Sequence, residues 1–172
     1  MKCKKLPECS VLWDFFEYNP LNGNLYWKIN RGVYKGAGKL AGSRKASGHI
    51  TVRINKIPYE MHRIIWKWMT GEDPGELQID HKYDYVDGVH KSNYWWNLRK
   101  ADEFTNNWNS GLRRDNSSGL KGVSYKSRTG KWVSQIQHCN QTIWIGTFPS
   151  AELAHAAYKK TAQELRGEFA RC

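Results

Sequence analysis

An α+β fold in two domains is predicted by three observations. Short strand-like alternations and short helical periodicities are interleaved up to residue 109. A polar, basic, Gly/Ser-containing stretch, Ser110 to Ser118, interrupts them. From Gly119 the pattern becomes three alternating strands and then a helix. The expected organisation is therefore a domain over residues 1–109, a basic linker over 110–118 and a second domain over 119–172.

The elements follow in order. Ser10 to Tyr18 reads as a helix, with Ser10 as its cap and Val11, Leu12, Phe15 and Phe16 at helical spacing. Asn22-Gly23 is a hairpin signal leading into a strand at Leu25-Tyr26-Trp27. Arg31 to Gly48 is a Gly- and Lys/Arg-rich loop, in which Arg31, Lys35, Lys39, Arg44 and Lys45 are suited to a phosphate backbone. His49 to Ile57 alternates as a strand with a turn at Asn55-Lys56, and Met61 to Met69 is a helix burying Ile64, Ile65 and Trp68, ended by Thr70-Gly71. His62 reads as a packed or backbone-bonded histidine with no catalytic role. Leu77-Gln78-Ile79 is a strand that delivers Asp80 and His81. In the second domain Lys121 to Tyr125, Lys131 to His138 and Gln141 to Phe148 are strands, and a helix runs from Pro149-Ser150 to about Leu165. Trp132, Ser134 and Ile136 fall on the face toward that helix, with Trp132 expected to pack on its alanines; Gln135 and Gln137 fall on the other.

Composition narrows the function classes. Nine Trp and nine Tyr exclude a disordered chain, and no apolar run is long enough to span a membrane. MKCKKLPECS has no apolar core of a secretory signal, so a cytoplasmic protein is expected, in the host cell if phage-encoded. Cys3, Cys9, Cys139 and Cys172 form no Cys-x-x-Cys pair, so reduced thiols and no zinc are expected. The net charge of +11 is unevenly divided: 11 basic and 4 acidic residues in 1–60, 6 and 8 in 61–110, 10 and 4 in 111–172. Two basic arms flank an acidic middle, a pattern suited to a polyanion gripped on either side of a cation.

That middle holds Asp80-His81, then Asn97 and Asn106. An adjacent carboxylate and imidazole can divide the labour of phosphodiester cleavage, one holding a cation and the other deprotonating water. Ile79-Asp80-His81, Asn93, Asn97-Leu98-Arg99 and the helical stretch Ala101 to Asn109 resemble the HNH motif of phage-type homing endonucleases. The resemblance implies a ββα-metal (His-Me finger) nuclease domain. It makes Asp80 and Asn106 ligands of one Mg²⁺, replaceable by Mn²⁺, His81 the general base and Asn97 a site-orienting residue. The segment Tyr83 to Lys91 makes the motif a few residues longer than is usual in that family.

The C-terminal KGVSYKSRTGKWVSQI, TIWIGTFPSAELAHAAYKK and LRGEFA resemble the plant ethylene-response-factor (APETALA-type) DNA-binding domain over almost all of residues 119–170. The resemblance implies a sheet in the major groove with contacts from Lys121, Ser124, Lys126, Arg128, Gln135, Gln137, Thr142 and Trp144. Ser124 and Gln137 stand where that family usually has arginine, which implies a different target sequence; Gln can read adenine through paired hydrogen bonds. Arg113 and Arg114 in the linker are placed to follow phosphates. Together the two resemblances imply a site-specific DNA endonuclease of the HNH homing type. It would act as a monomer on double-stranded DNA, leaving 5′-phosphate and 3′-hydroxyl ends. The alternative is a catalytically inactive, sequence-specific DNA-binding transcription regulator, with His81 misplaced by the longer loop.

Overall fold

The computed structural model describes residues 4–30, 36–108, 111–112 and 115–170. The chain divides into two compact units, Met1–Asp102 and Glu103–Cys172. Both are mixtures of helices and small antiparallel sheets, as the α+β expectation requires.

In the first unit the opening helix α1 spans only Cys9–Phe15, and the chain then turns into strand β1, Phe16–Asn19, paired with β2, Asn24–Trp27. The helix expected to reach Tyr18 is thus shorter. Phe16 and Tyr18 sit two apart, are both buried, and face the core through β1 rather than through a helical turn. Gly23 at the hairpin tip has φ +70°, and a Cβ there would stand 2.6 Å from the amide nitrogen of Tyr94. The turn signal therefore also permits a close approach of two backbones.

Strands β3 (Ser43–Arg44), β4 (Ile50–Ile54) and β5 (Ile57–Glu60) form a three-stranded sheet, with Asn55 and Lys56 both at positive φ in the two-residue turn that the sequence indicated. Helix α2, Met61–Thr70, buries Met61, Ile64 and Ile65 and stops at Gly71 in the left-handed region, whose N–H donates to the carbonyl of Lys67. Trp68 is half-buried rather than core; its indole donates to the Phe16 carbonyl at 3.3 Å. Leu12, Phe16, Leu25, Val52, Ile64 and Ile65 are the centre of this unit's core.

Strand β6, Gln78–His81, pairs with β9, Leu98–Ala101, in a register that sets Asp80 opposite Arg99. The longer segment between them is ordered: β7 (Tyr85–Val86) and β8 (Val89–His90) form a hairpin about Asp87-Gly88, both at positive φ. Its base carries a Lys91–Asp84 ion pair.

The second unit opens with helix α3, Glu103–Trp108. Its sheet is β10 (Val123–Lys126), β11 (Lys131–His138) and β12 (Gln141–Phe148), in that order and antiparallel, followed by helix α4, Ala151–Arg166. Ser150 caps α4 by accepting from the amide of Leu153. The buried face is made by Ser134 and Ile136 against Ala154, Tyr158 and Ala162. Trp132, expected to be the main partner of the alanines, is half-buried and packs at a tilt on Tyr125 instead, 5.0 Å between centroids. Tyr158 occupies the centre because Gly122 makes room for it. A Cβ at Gly122, where φ is +73°, would lie 2.1 Å from the Tyr158 ring and 2.8 Å from the Gln135 carbonyl oxygen.

Replacing Gly122 with Ala should therefore destabilise the C-terminal unit by about 2 kcal/mol or more, through overpacking and backbone strain together. Denaturant unfolding followed by tryptophan fluorescence checks this; a midpoint equal to that of the parent refutes it.

Candidate functional site

Two groups of side chains with chemical potential stand apart in the fold, one in each unit. In the first unit, Asn97 is fully buried and satisfied on all sides. Its Nδ2 donates to the carbonyls of Ser92 (2.9 Å) and Tyr83 (3.1 Å), and its Oδ1 accepts from the amide of Tyr83 (2.9 Å). Asn97 thus closes the loop that leaves β6 just after His81. His81, 1% exposed, has Nε2 2.9 Å from Oδ1 of Asn93. The backbone of Asn93 is in turn held by Tyr18, whose hydroxyl donates to the Asn93 carbonyl at 2.8 Å. Burial pushes the Tyr18 phenol up to about 12. Asp80 and Arg99 form a buried ion pair, Arg99 Nε and Nη2 donating to the same carboxylate oxygen at 3.1 and 3.0 Å. Asn106 lies on α3 and belongs to the second unit.

Reading the sequence assigned no role to three neighbours of this site. Asn93 was seen only as part of a spacing pattern, and His49 and His62 only as strand and helix residues. In the structure the rings of His49, His62 and His81 are mutual neighbours, with centroids 5.2–5.7 Å apart. Burial lowers the pKa of all three, His81 to about 4 and His62 well below the ordinary 6.5. Further lowering comes from Lys91 near each ring, while the hydrogen bond to Asn93 opposes it at His81. The basic loop nearby is largely occupied internally: Arg44 donates to the carbonyls of Gly48 and His90, and Lys45 pairs with Glu60. Lys39 is exposed, and Arg31 and Lys35 lie outside the described residues.

In the second unit the sheet face opposite α4 carries the expected interface. Gln135 pairs with Trp144 and Gln137 with Thr142 across β11 and β12, and all four are exposed, Trp144 at 64%. Ser124 lies opposite Val133, and Lys126 opposite Lys131, extending the same face toward β10. Lys131 was not among the predicted contacts, although period-two alternation from Gln135 places it there. Lys121 differs from expectation in that its ammonium donates to the carbonyl of Trp108 at 3.1 Å. Arg128 is exposed in the β10–β11 turn; Arg113 and Arg114 lie outside the described residues, as do Cys3 and Cys172. Cys9 and Cys139 are free thiols.

Protein 3.8 of Escherichia phage T7 is 32% identical to this chain over 117 residues, 64% of the chain and 87% of the phage protein. The chain belongs to the protein 3.8 family. An alignment of that length exceeds the whole C-terminal sheet and helix, so the likeness takes in part of the N-terminal unit of this protein 3.8 relative as well. Residues 118–168 match the AP2 domain, a DNA-binding domain, as the C-terminal motifs implied. The ethylene-responsive transcription factor ERF027 of Arabidopsis thaliana is 49% identical over 47 residues, and the APETALA2-like protein 2 of Oryza sativa 39% identical over 54. These matches cover 26% and 31% of the chain and only 24% and 12% of the plant proteins.

The expectation of an enzyme is corrected by these findings. The AP2 domain and the relatives named as transcription factors point to DNA binding rather than to a nuclease. The geometry gives a physical reason. A general base must reach solvent or substrate, whereas His81 is enclosed and bonded to Asn93, and the carboxylate beside it is engaged by Arg99. Among the described residues, no helix is long and apolar enough to cross a membrane.

The buried imidazoles set a pH dependence. Their folded pKa values lie below the free value of 6.5, so the unfolded chain takes up protons that the native state refuses, and stability falls as pH drops below about 6.5. For His81 the loss continues down to about pH 4. Between pH 7.5 and 5.5, where carboxylates stay ionised, the loss should approach about 1 kcal/mol for each deeply buried histidine. Urea midpoints across that range test this; a flat profile refutes it.

Proposed function

We propose that the protein is a sequence-specific regulator that binds double-stranded DNA as a monomer, reading the major groove with the outer face of its C-terminal sheet. The observation that carries this reading is the paired row Gln135–Trp144 and Gln137–Thr142, exposed on the face that α4 leaves open. Three strands spaced ~4.8 Å apart make a platform narrower than the ~12 Å major groove. Glutamines can bond an adenine edge in two places, and the Trp144 ring gives an apolar surface for a thymine methyl. Lys126, Arg128 and Lys131 border the row with positive charge that suits flanking phosphates. The relatives named as transcription factors support the same reading.

Selection of the full-length protein on a random duplex library, followed by fluorescence anisotropy on the enriched site, tests the proposal. Changing Gln135 or Gln137 to Ala should cost about 1–3 kcal/mol on the enriched site and relax base preference at one position. Lys126→Ala should weaken all duplexes alike and lower the slope of log affinity against log salt by about 1. A library that shows no enrichment, or glutamine variants that bind like the parent, would overturn it.

A further inference from the structure

Three of the chain's six histidines meet in the N-terminal unit. His49 immediately precedes β4, His62 is the second residue of α2 and His81 is the last residue of β6. One ring nitrogen of each lies within 4.8 Å of the other two. His62 and His81 are buried and His49 is half-buried. We infer that these three imidazoles form a binding site for a single divalent transition-metal ion of the zinc class.

Donor chemistry and geometry point the same way. A set made of imidazole nitrogen favours Zn²⁺, Co²⁺, Ni²⁺ or Cu²⁺ over Mg²⁺ and Ca²⁺, which take oxygen. Metal–nitrogen bonds of ~2.0–2.1 Å place tetrahedral nitrogens roughly 3.3 Å apart, so the rings need only a small inward adjustment. Metal-bound histidines characteristically give their second nitrogen to a fixed polar partner, which sets the ring orientation. His81 Nε2 meets Asn93 Oδ1 at 2.9 Å, an acceptor that places the proton on Nε2 and the lone pair on Nδ1. His49 Nδ1 lies 3.3 Å from the Ser47 hydroxyl. The missing Cys-x-x-Cys pairs have no bearing on a site built from imidazole.

Such an ion would tie together the start of β4, the first turn of α2 and the end of β6, which are distant in sequence. The inference is independent of the DNA-binding reading, since it concerns the other unit.

Tag-free full-length protein, stripped with a chelator and shown to be folded by circular dichroism, is titrated with Zn²⁺ against a chromophoric chelator and with Co²⁺ by visible absorption. One equivalent should bind with a raised Tm, Co²⁺ should show ligand-field bands of nitrogen coordination, and millimolar Mg²⁺ should not compete. His49→Ala and His62→Ala should each lower affinity at least a hundredfold. Asn93→Ala, acting through His81, should lower it about 10–100-fold. His138→Ala, in the other unit, should change nothing. If His62→Ala fails to fold, the half-buried His49 decides. Folded parent that binds no equivalent at micromolar free Zn²⁺, or binding that survives His49→Ala undiminished, would overturn the site.

Discussion

Everything distinctive about the C-terminal unit depends on one helix covering one face of a three-stranded sheet. Three strands provide two faces, and α4 packs over one of them. The covered face is dense and mostly small: Ala154 and Ala162 let the helix approach, Ser134 and Ile136 meet it, and Tyr158 fills the space above Gly122. Because those residues satisfy the hydrophobic requirement, the opposite face is released from it and can be polar. Gln135, Gln137, Thr142 and Lys126 are there because nothing in the fold demands an apolar residue at their positions. Trp144 is different. A large ring left mostly in solvent offers little to folding, which makes it informative about binding.

The N-terminal unit adds a network of buried polar groups to its hydrophobic core. Asn97 bonds three backbone groups, Arg99 pairs with Asp80, and Tyr18 holds the backbone whose side chain bonds His81. The Tyr18 bond reaches 75 residues along the chain, while the others lie within residues 80–99. Losing one partner strands another without water, at a cost of about 1–3 kcal/mol for a neutral group and more for a charge. The same enclosure that keeps these groups paired keeps His81 from acting as an exposed base.

Legibility followed the range of the interactions. The three C-terminal strands and their turns were readable because alternation, Cys139-Asn140 and Ser150 are local signals. Trp132 was misplaced because bulk alone does not reveal which residue a glycine makes room for; Gly122 chose Tyr158. Helix α1 was read too long because Phe15 and Phe16 fit a helix, while pairing with β2 decided otherwise. Asp87-Gly88 carried a hairpin signal, yet short apolar content hid it within an apparent loop. In the candidate site, Asp80, His81, Asn93, Asn97 and Arg99 were legible as a spacing pattern, whereas the pairing of Arg99 with Asp80 and of Asn93 with His81, and the neighbours His49 and His62, were not. Proximity of residues 49, 62 and 81 is a product of tertiary folding, and no window of sequence contains it.

The Cys139-Asn140 bend has a bearing on how such a surface can diversify. Both residues adopt left-handed backbone, the tightest link that joins β11 to β12 without splaying them. A one-residue slip in register there would turn the side chains of Thr142 and Trp144 toward the helix and bring core residues outward. Exchange of side chains on a hairpin of constant length alters the open face and leaves the covered one intact.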